Sequence, residues 1–173
     1  MKRFLVGVMA LCMLVAGAGL ASAADVKIGS VDIQKVLVLS DAGKAAKDQL
    51  SQRAAKYEDE KNGREEELKK LKNDLEKQSV LLSESKRSEK EQSYQQKLKE
   101  YQRFLKDAQD DLQAKNDELT NKIVERIVKD VQDYGKKNGY TFIFVKNDAM
   151  VYMNDSADIT DAILKLVNAE PKK

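Results

Sequence analysis

The stretch from Asp41 to Lys137 contains no proline, and two stripes run along it at alternating steps of three and four residues. That spacing winds two helices together through heptad positions. The first stripe passes through Ala46, Leu50, Ala54, Tyr57, Lys61, Arg64, Leu68, Leu71, Leu75, Gln78 and Leu82. The second passes through Tyr94, Leu98, Tyr101, Leu105, Ala108, Leu112, Lys115, Leu119 and Ile123. Antiparallel helices in register need facing positions that step in opposite directions, and these do. Leu75 faces Tyr94, Leu71 faces Leu98, Leu68 faces Tyr101 and Arg64 faces Leu105. The ladder continues through Lys61–Ala108, Tyr57–Leu112, Ala54–Lys115 and Leu50–Leu119 to Ala46–Ile123. It places the turn between residues 84 and 85, where Ser88 and Glu91 have the spacing of a capping box.

One local signal opposes this reading. Asn62-Gly63 is a strong two-residue turn pair, and a turn there would leave the stripe from Tyr94 to Ile123 in water. That exposure costs several times ~2 kcal/mol, whereas a glycine inside a helix costs about 1 kcal/mol relative to alanine. Burial wins, so Asn62-Gly63 is expected inside a helix. Lys61 and Arg64 occupy apolar-stripe positions beside it, which makes this the weakest part of the stripe and the expected hinge. Two arms of about 40 and 50 residues would extend roughly 60 Å at 1.5 Å per residue.

The segments flanking the helical stretch differ in kind. Val26–Ile33, Tyr140–Val145 and Ala149–Met153 are short, β-branched or aromatic, and bounded by turn residues, which predicts strands. Lys146–Asp148 would join the last two as a hairpin. Ser156 or Asp158 is expected to cap a terminal helix carrying Ile159, Ile163 and Leu166/Val167 at helical spacing. Asp32 is expected to cap or turn the chain. Ile123, Val124, Ile127, Val128, Val131 and Tyr134 form the densest apolar cluster, where the arm should meet the strands.

The chain opens with Lys2 and Arg3, an apolar run, and "ASA" at Ala21–Ala23, the pattern of a secretory signal cleaved after Ala23. The apolar run is about the shortest that could span a bilayer, so an uncleaved anchor is the alternative. Leu11 is too bulky for Cys12 to serve as a lipidation site. Beyond Ala23 there is no Cys and no His, which removes thiol nucleophiles, imidazole bases and His/Cys zinc sites. Neither an enzyme nor a cofactor or metal site is expected. The leader holds two of the 31 basic residues and none of the 29 acidic ones, so the remainder is formally neutral. Neutrality argues against a nucleic-acid binder.

The expected fold is mainly α with a small β part. Residues 1–23 form the signal, 24–40 and 139–173 a strand and short-helix body, and 41–138 a helical hairpin with its turn near 83–88. So small a body leaves strand edges open to other chains, and symmetric association closing the strands into one barrel would remove them. Val26, Ile28, Val31, Phe142, Phe144, Val151 and Ile163 are the candidate residues for that oligomerisation body. Charge gathers toward the far end of the arms: Leu68–Lys106 holds eleven Lys/Arg against six Asp/Glu. Lys77, Lys86, Arg87, Lys90 and Lys97 are candidates there for contact with anionic clients or lipid headgroups. Phe104, off the ladder, is the candidate apolar contact.

Val26–Leu50 ("VKIGSVDIQKVLVLSDAGKAAKDQL"), "NGYTFIF" and "VYMNDSADITDAILKLVN" resemble the opening and closing segments of the Skp/OmpH family of periplasmic chaperones. The resemblance runs over the whole chain after the leader. It implies a jellyfish-like homotrimer in which strands from three subunits form a small barrel and three hairpin tentacles enclose a cavity. It further implies an ATP-independent holdase for unfolded outer-membrane β-barrel proteins; the basic far end of the arms is what suggests anionic membrane lipids or lipopolysaccharide as partners. A charged rod alone would also suit a coiled-coil spacer or adaptor with one folded partner.

Overall fold

The computed structural model describes residues 26–78 and 83–169. The expected signal peptide lies outside the described residues, as does the chain between Gln78 and Ser83. The elements in order are β1 (Ile28–Val31), α1 (Ile33–Leu39), α2 (Asp41–Gln78), α3 (Glu84–Lys137), β2 (Phe142–Val145), a 3₁₀ turn (Asp155–Ala157) and α4 (Thr160–Ala169).

The first strand is shorter than its apolar run because Asp32 ends it. The Asp32 carboxylate accepts from the Lys35 backbone N–H at 2.8 Å, capping α1 as expected of a residue in that position. Ile33 therefore begins a helix instead of finishing a strand. Seven residues later Ser40 ends α1 and starts α2. Its hydroxyl donates to the Leu37 carbonyl at 3.2 Å and accepts from the Gly43 N–H at 3.1 Å. The bend is so close that a Cβ on Gly43 would stand 1.7 Å from the Leu37 oxygen.

The helix pair α2 and α3 runs antiparallel, with Arg53 bonded to Asp111, Glu65 to Tyr101 and Glu67 to Lys97. Along α2 beyond the bend, the buried or half-buried side chains are Ala46, Leu50, Tyr57, Lys61, Arg64, Leu68, Leu71 and Leu75. These are stripe positions read from the sequence; among the described side chains of that stripe, Ala54 is the exposed one. On α3, Tyr94, Leu98, Tyr101, Ala108, Leu112, Lys115, Leu119 and Ile123 are likewise covered, but Leu105 is 37% exposed and Phe104 takes its place. The exchange is confined to this one step: Phe104 packs edge-on to Tyr57 and under Arg64, and the ladder positions resume at Ala108.

Two other expectations are corrected. The stretch 83–88 is helical from Glu84 onward, so the connection lies before it. Ser88 and Glu91 form no capping box: Ser88 sits inside α3 and Glu91 accepts from Arg87 at 2.9 Å. Between Glu84 and Glu91 there is no Gly or Pro, and Lys, Arg and Glu outnumber the two serines, so the helix propagates back to Ser83.

No strand forms at Ala149–Met153, and no hairpin joins it to β2. The chain bends at Asn147, whose carbonyl accepts from Met150 N–H, but it leaves Val151 97% exposed and Tyr152 83% exposed. Instead β2 pairs with β1 in parallel, Ile28 opposite Phe142 and Val31 opposite Val145. The long excursion through α1–α3 supplies the crossover that a parallel pair needs.

The core sits where the arm meets this sheet. Val31, Val36, Ala46, Ile123, Ile127, Ile159, Ile163 and Val167 form one buried cluster from β1, all four helices and the residue preceding α4. Asp158 accepts from both the backbone N–H and the hydroxyl of Thr160, and that hydroxyl accepts from the Asp32 N–H at 2.9 Å. The start of α4 is thereby tied to the end of β1.

Candidate functional site

Three surfaces carry the residues singled out from the sequence. The first is the outer face of the two-stranded sheet. Alternation along β2 sends Ile143 inward against α3 and turns Phe142 and Phe144 outward. Their rings stack with centroids 6.2 Å apart, beside Ile28, the register partner of Phe142. Val26, Ile28, Phe142 and Phe144 are 48–59% exposed. An apolar face of this kind marks an interaction surface, and Val151 and Tyr152 are also exposed, at 97% and 83%. Val31 and Ile163, grouped with these residues on sequence grounds, belong to the subunit's own core at 1% and 0% exposure.

The second surface is a groove along α2 and α3, of about 700 Å³, near the base of the arm. Leu50, Ala54, Tyr57, Phe104, Leu105, Ala108 and Leu112 line it, with Lys47, Glu58, Lys61 and Gln109 among the polar residues at its margins. Phe104 is half-buried in its wall instead of standing free. Its ring lies edge-on to Tyr57 at 6.0 Å, and the Arg64 guanidinium stacks 4.6 Å from it. Sequence reasoning missed the groove. Its signal was the adjacent Phe104-Leu105 pair, both apolar where the stripe needed only one.

A polar clamp closes the side of the helix pair near this groove. Arg53 grips Asp111 with both Nε and Nη2, the latter at 2.6 Å, and the Tyr57 hydroxyl donates to the same carboxylate at 2.8 Å. These bonds hold the Asp111 carboxyl below its usual range, Arg53 contributing most and Tyr57 next. Bidentate pairing fixes geometry as well as charge, so the clamp sets the register between the two helices. Farther out, Glu65 accepts from the Tyr101 hydroxyl at 2.5 Å and raises its pKa.

The third surface is the far end of the arm. Lys77 lies in the last turn of α2, and Lys86, Arg87 and Lys90 lie in the first two turns of α3. Arg87 pairs with Glu91 at 2.9 Å. Lys97 is a strut between helices, 3.1 Å from Glu67 on α2 and 3.9 Å from Glu100 on its own helix. Exposed pairs of this kind are worth only ~0–1 kcal/mol, so an anionic partner can compete for these cations. Asn62 and Gly63 stand beyond the clamp, about midway along α2. Both are exposed inside an unbroken α2, and a Cβ on Gly63 would meet nothing within 4 Å. Among the described residues, no cluster of Asp or Glu side chains is arranged to hold a metal ion.

The described residues form a long antiparallel helix pair carried on a small α/β base, with an apolar strand face left open. The chain belongs to the OmpH-like family, described as Outer membrane protein (OmpH-like), whose model matches residues 27–167. The fold agrees with a crystal structure of an OmpH-like protein from Caulobacter crescentus CB15, provisionally assigned as an outer membrane chaperone. The two superpose with a TM-score of 0.78 at 17% sequence identity, covering 83% of this chain and 85% of that one. Among curated proteins, none matches this chain.

Proposed function

We propose that this protein is an ATP-independent periplasmic holdase that keeps unfolded outer-membrane β-barrel proteins soluble until they are delivered for membrane assembly. The observation that carries this reading is the outward face of Ile28, Phe142 and Phe144 at the base of a long arm, in a chain of this family. Three copies sharing that face, with Val26 and the Val151 segment adding to the strand edges, would build one β body and set three arms around a common space. Clients would be held by many weak contacts along the arms, including the apolar groove at Tyr57 and Phe104, so that avidity replaces a fixed pocket. The basic residues Lys77, Lys86, Arg87, Lys90 and Lys97 would draw in anionic client segments or lipid headgroups, lipopolysaccharide included. Asn62-Gly63 would let the arms splay around clients of different size. The leader would direct export and be removed by cleavage after Ala23, and no catalytic step is involved.

The test combines native mass spectrometry with aggregation assays on several unrelated unfolded β-barrel proteins. The wild-type protein should be trimeric and suppress aggregation. Phe142→Asp with Phe144→Asp should yield monomers that no longer do so. A wild-type protein that is monomeric, or that leaves aggregation untouched, refutes the proposal and favours an envelope spacer with one folded partner. Reversal of Lys77, Lys86, Arg87 and Lys90 to Glu should weaken binding to clients and anionic vesicles; unchanged binding removes the role of the tip.

A further inference from the structure

The sequence contains Asn-Gly twice, at Asn62-Gly63 and at Asn138-Gly139, and the structure puts the two pairs in opposite settings. An asparagine followed by glycine is open to self-cyclisation, because no side chain shields the glycine nitrogen from the asparagine amide. Asn62 and Gly63 lie inside α2, where the Gly63 N–H belongs to the helical hydrogen-bond ladder. Asn138 instead ends α3 with φ −105° and ψ 10°, and Gly139 follows with φ +69°, the left-handed turn that glycine permits after a helix.

The Gly139 N–H reaches only the Lys136 carbonyl, at 3.5 Å, the outer limit of a hydrogen bond. A Cβ at Gly139 would meet nothing within 4 Å, so its surroundings are open. Lys27 Nζ donates to the Asn138 carbonyl at 2.9 Å. That carbonyl and the Gly139 nitrogen share one peptide unit. An ammonium on the oxygen draws electron density from the unit and eases loss of the nitrogen's proton.

We infer that Asn138 is a site of spontaneous deamidation in the folded protein, with Lys27 as a positioning residue, while α2 protects Asn62. The Gly139 nitrogen gives its proton to solvent and bonds to Asn138 Cγ. The Cγ–Nδ2 bond breaks, and the leaving nitrogen takes up a proton and departs as ammonia, closing a succinimide ring. Water then opens either ring carbonyl, giving aspartate or isoaspartate. The asparagine Nδ2 now donates to the Tyr134 carbonyl at 2.7 Å; the product loses that donor and sets a carboxylate against the carbonyl. The modification thus acts on the joint between arm and sheet.

The test is peptide mapping of the purified protein, with isoaspartate resolved, during incubation at mildly alkaline pH. In the folded protein Asn138 should convert at least about tenfold faster than Asn62, because an amide inside a helix reacts only after local opening. In denaturant the two rates should converge. Lys27→Met should slow conversion of Asn138 several-fold in the folded protein and leave the denatured rate unchanged, while Lys27→Arg should retain it. Equal rates at the two sites in the folded protein overturn the assignment, and an unchanged rate in Lys27→Met overturns the role of Lys27.

Discussion

Replacing Asn62 and Gly63 together by alanine asks directly whether the arm bends there. Gly63 lies inside the 38-residue helix α2, and the added Cβ would meet nothing within 4 Å, so no steric cost offsets the gain in helix propensity. Gly→Ala in a helix interior contributes about 1 kcal/mol, and Asn→Ala about half of that. The gain comes mainly from freedom lost to the unfolded helix. Roughly 1.5 kcal/mol, concentrated in the turns around residue 63, corresponds to local opening about tenfold rarer. Hydrogen exchange of the amides at 59–67 measures this, with the amides at 116–123 near the core as internal control. The expected result is about tenfold added protection at 59–67 and none at the control. Capture of large clients should weaken more than that of small ones. Unaltered exchange would show that the arm does not open there. Slower exchange with equal capture of all client sizes would show that opening plays no part in binding.

Gly43→Ala should act in the opposite direction to Gly63→Ala, since its Cβ would overlap the Leu37 carbonyl at 1.7 Å. A loss of about 2 kcal/mol or more is expected in urea unfolding, and a neutral result would mean that the α1–α2 bend is not under steric constraint. Asp158 gives a pH signature. Burial pushes its carboxyl up, but the Lys146 ammonium and the hydroxyl and N–H of Thr160 outweigh it and bring the value from 3.8 to about 2. A group depressed on folding contributes its full stabilisation above about pH 4 and loses it as pH falls through about 2. Asp158→Asn should therefore be less stable than wild type by a constant margin above about pH 4, shrinking between about 4 and 2. A margin that persists at the acid end would refute the charge as its source.

The helix pair was legible because its information is local and repeated. Each stripe residue testifies to the same face, so Leu68, Leu71, Leu75, Leu98 and Tyr101 together outweigh one turn signal at Asn62-Gly63. The error at Phe104 is local: Phe104 and Leu105 are both apolar, and a ladder of fixed steps does not say which of them packs on Tyr57 and Arg64. The region around β1 was harder. "IQKVLVL" is a short β-branched run that suits strand or helix equally, and its helix was decided by the Asp32 cap and by the sheet's need for a crossover. The strand expected at 149–153 shows a different limit. Strand propensity says that a segment can pair, but an edge must exist to receive it, and within one subunit β1 already occupies one side of β2. The second Asn-Gly, at 138–139, does make the turn that the first refuses, because α3 runs out of apolar partners there while α2 does not.

The joint between arm and sheet carries a mechanical consequence. Tyr140 enters β2 with its ring against Tyr134 at 6.0 Å and beneath the Lys27 ammonium at 4.2 Å. Ile143 packs so tightly on α3 that a Cβ at Gly135 would stand 2.9 Å from its Cδ1. The inner face of the sheet is thus in close contact with the end of α3 through Ile143, while the outer face presents Ile28, Phe142 and Phe144. Copies that associate through the outer face would inherit a fixed direction for each arm at its root. Any opening of the space between arms must then arise farther out, beyond the Arg53–Tyr57–Asp111 clamp. Past that clamp the buried stripe runs through Lys61 and Arg64 before reaching Leu68, and Asn62-Gly63 stands in the gap. A rigid root and the proposed compliant middle would make opposite demands on sequence, and the contact of Ile143 with Gly135 and the open space at Gly63 are in keeping with each.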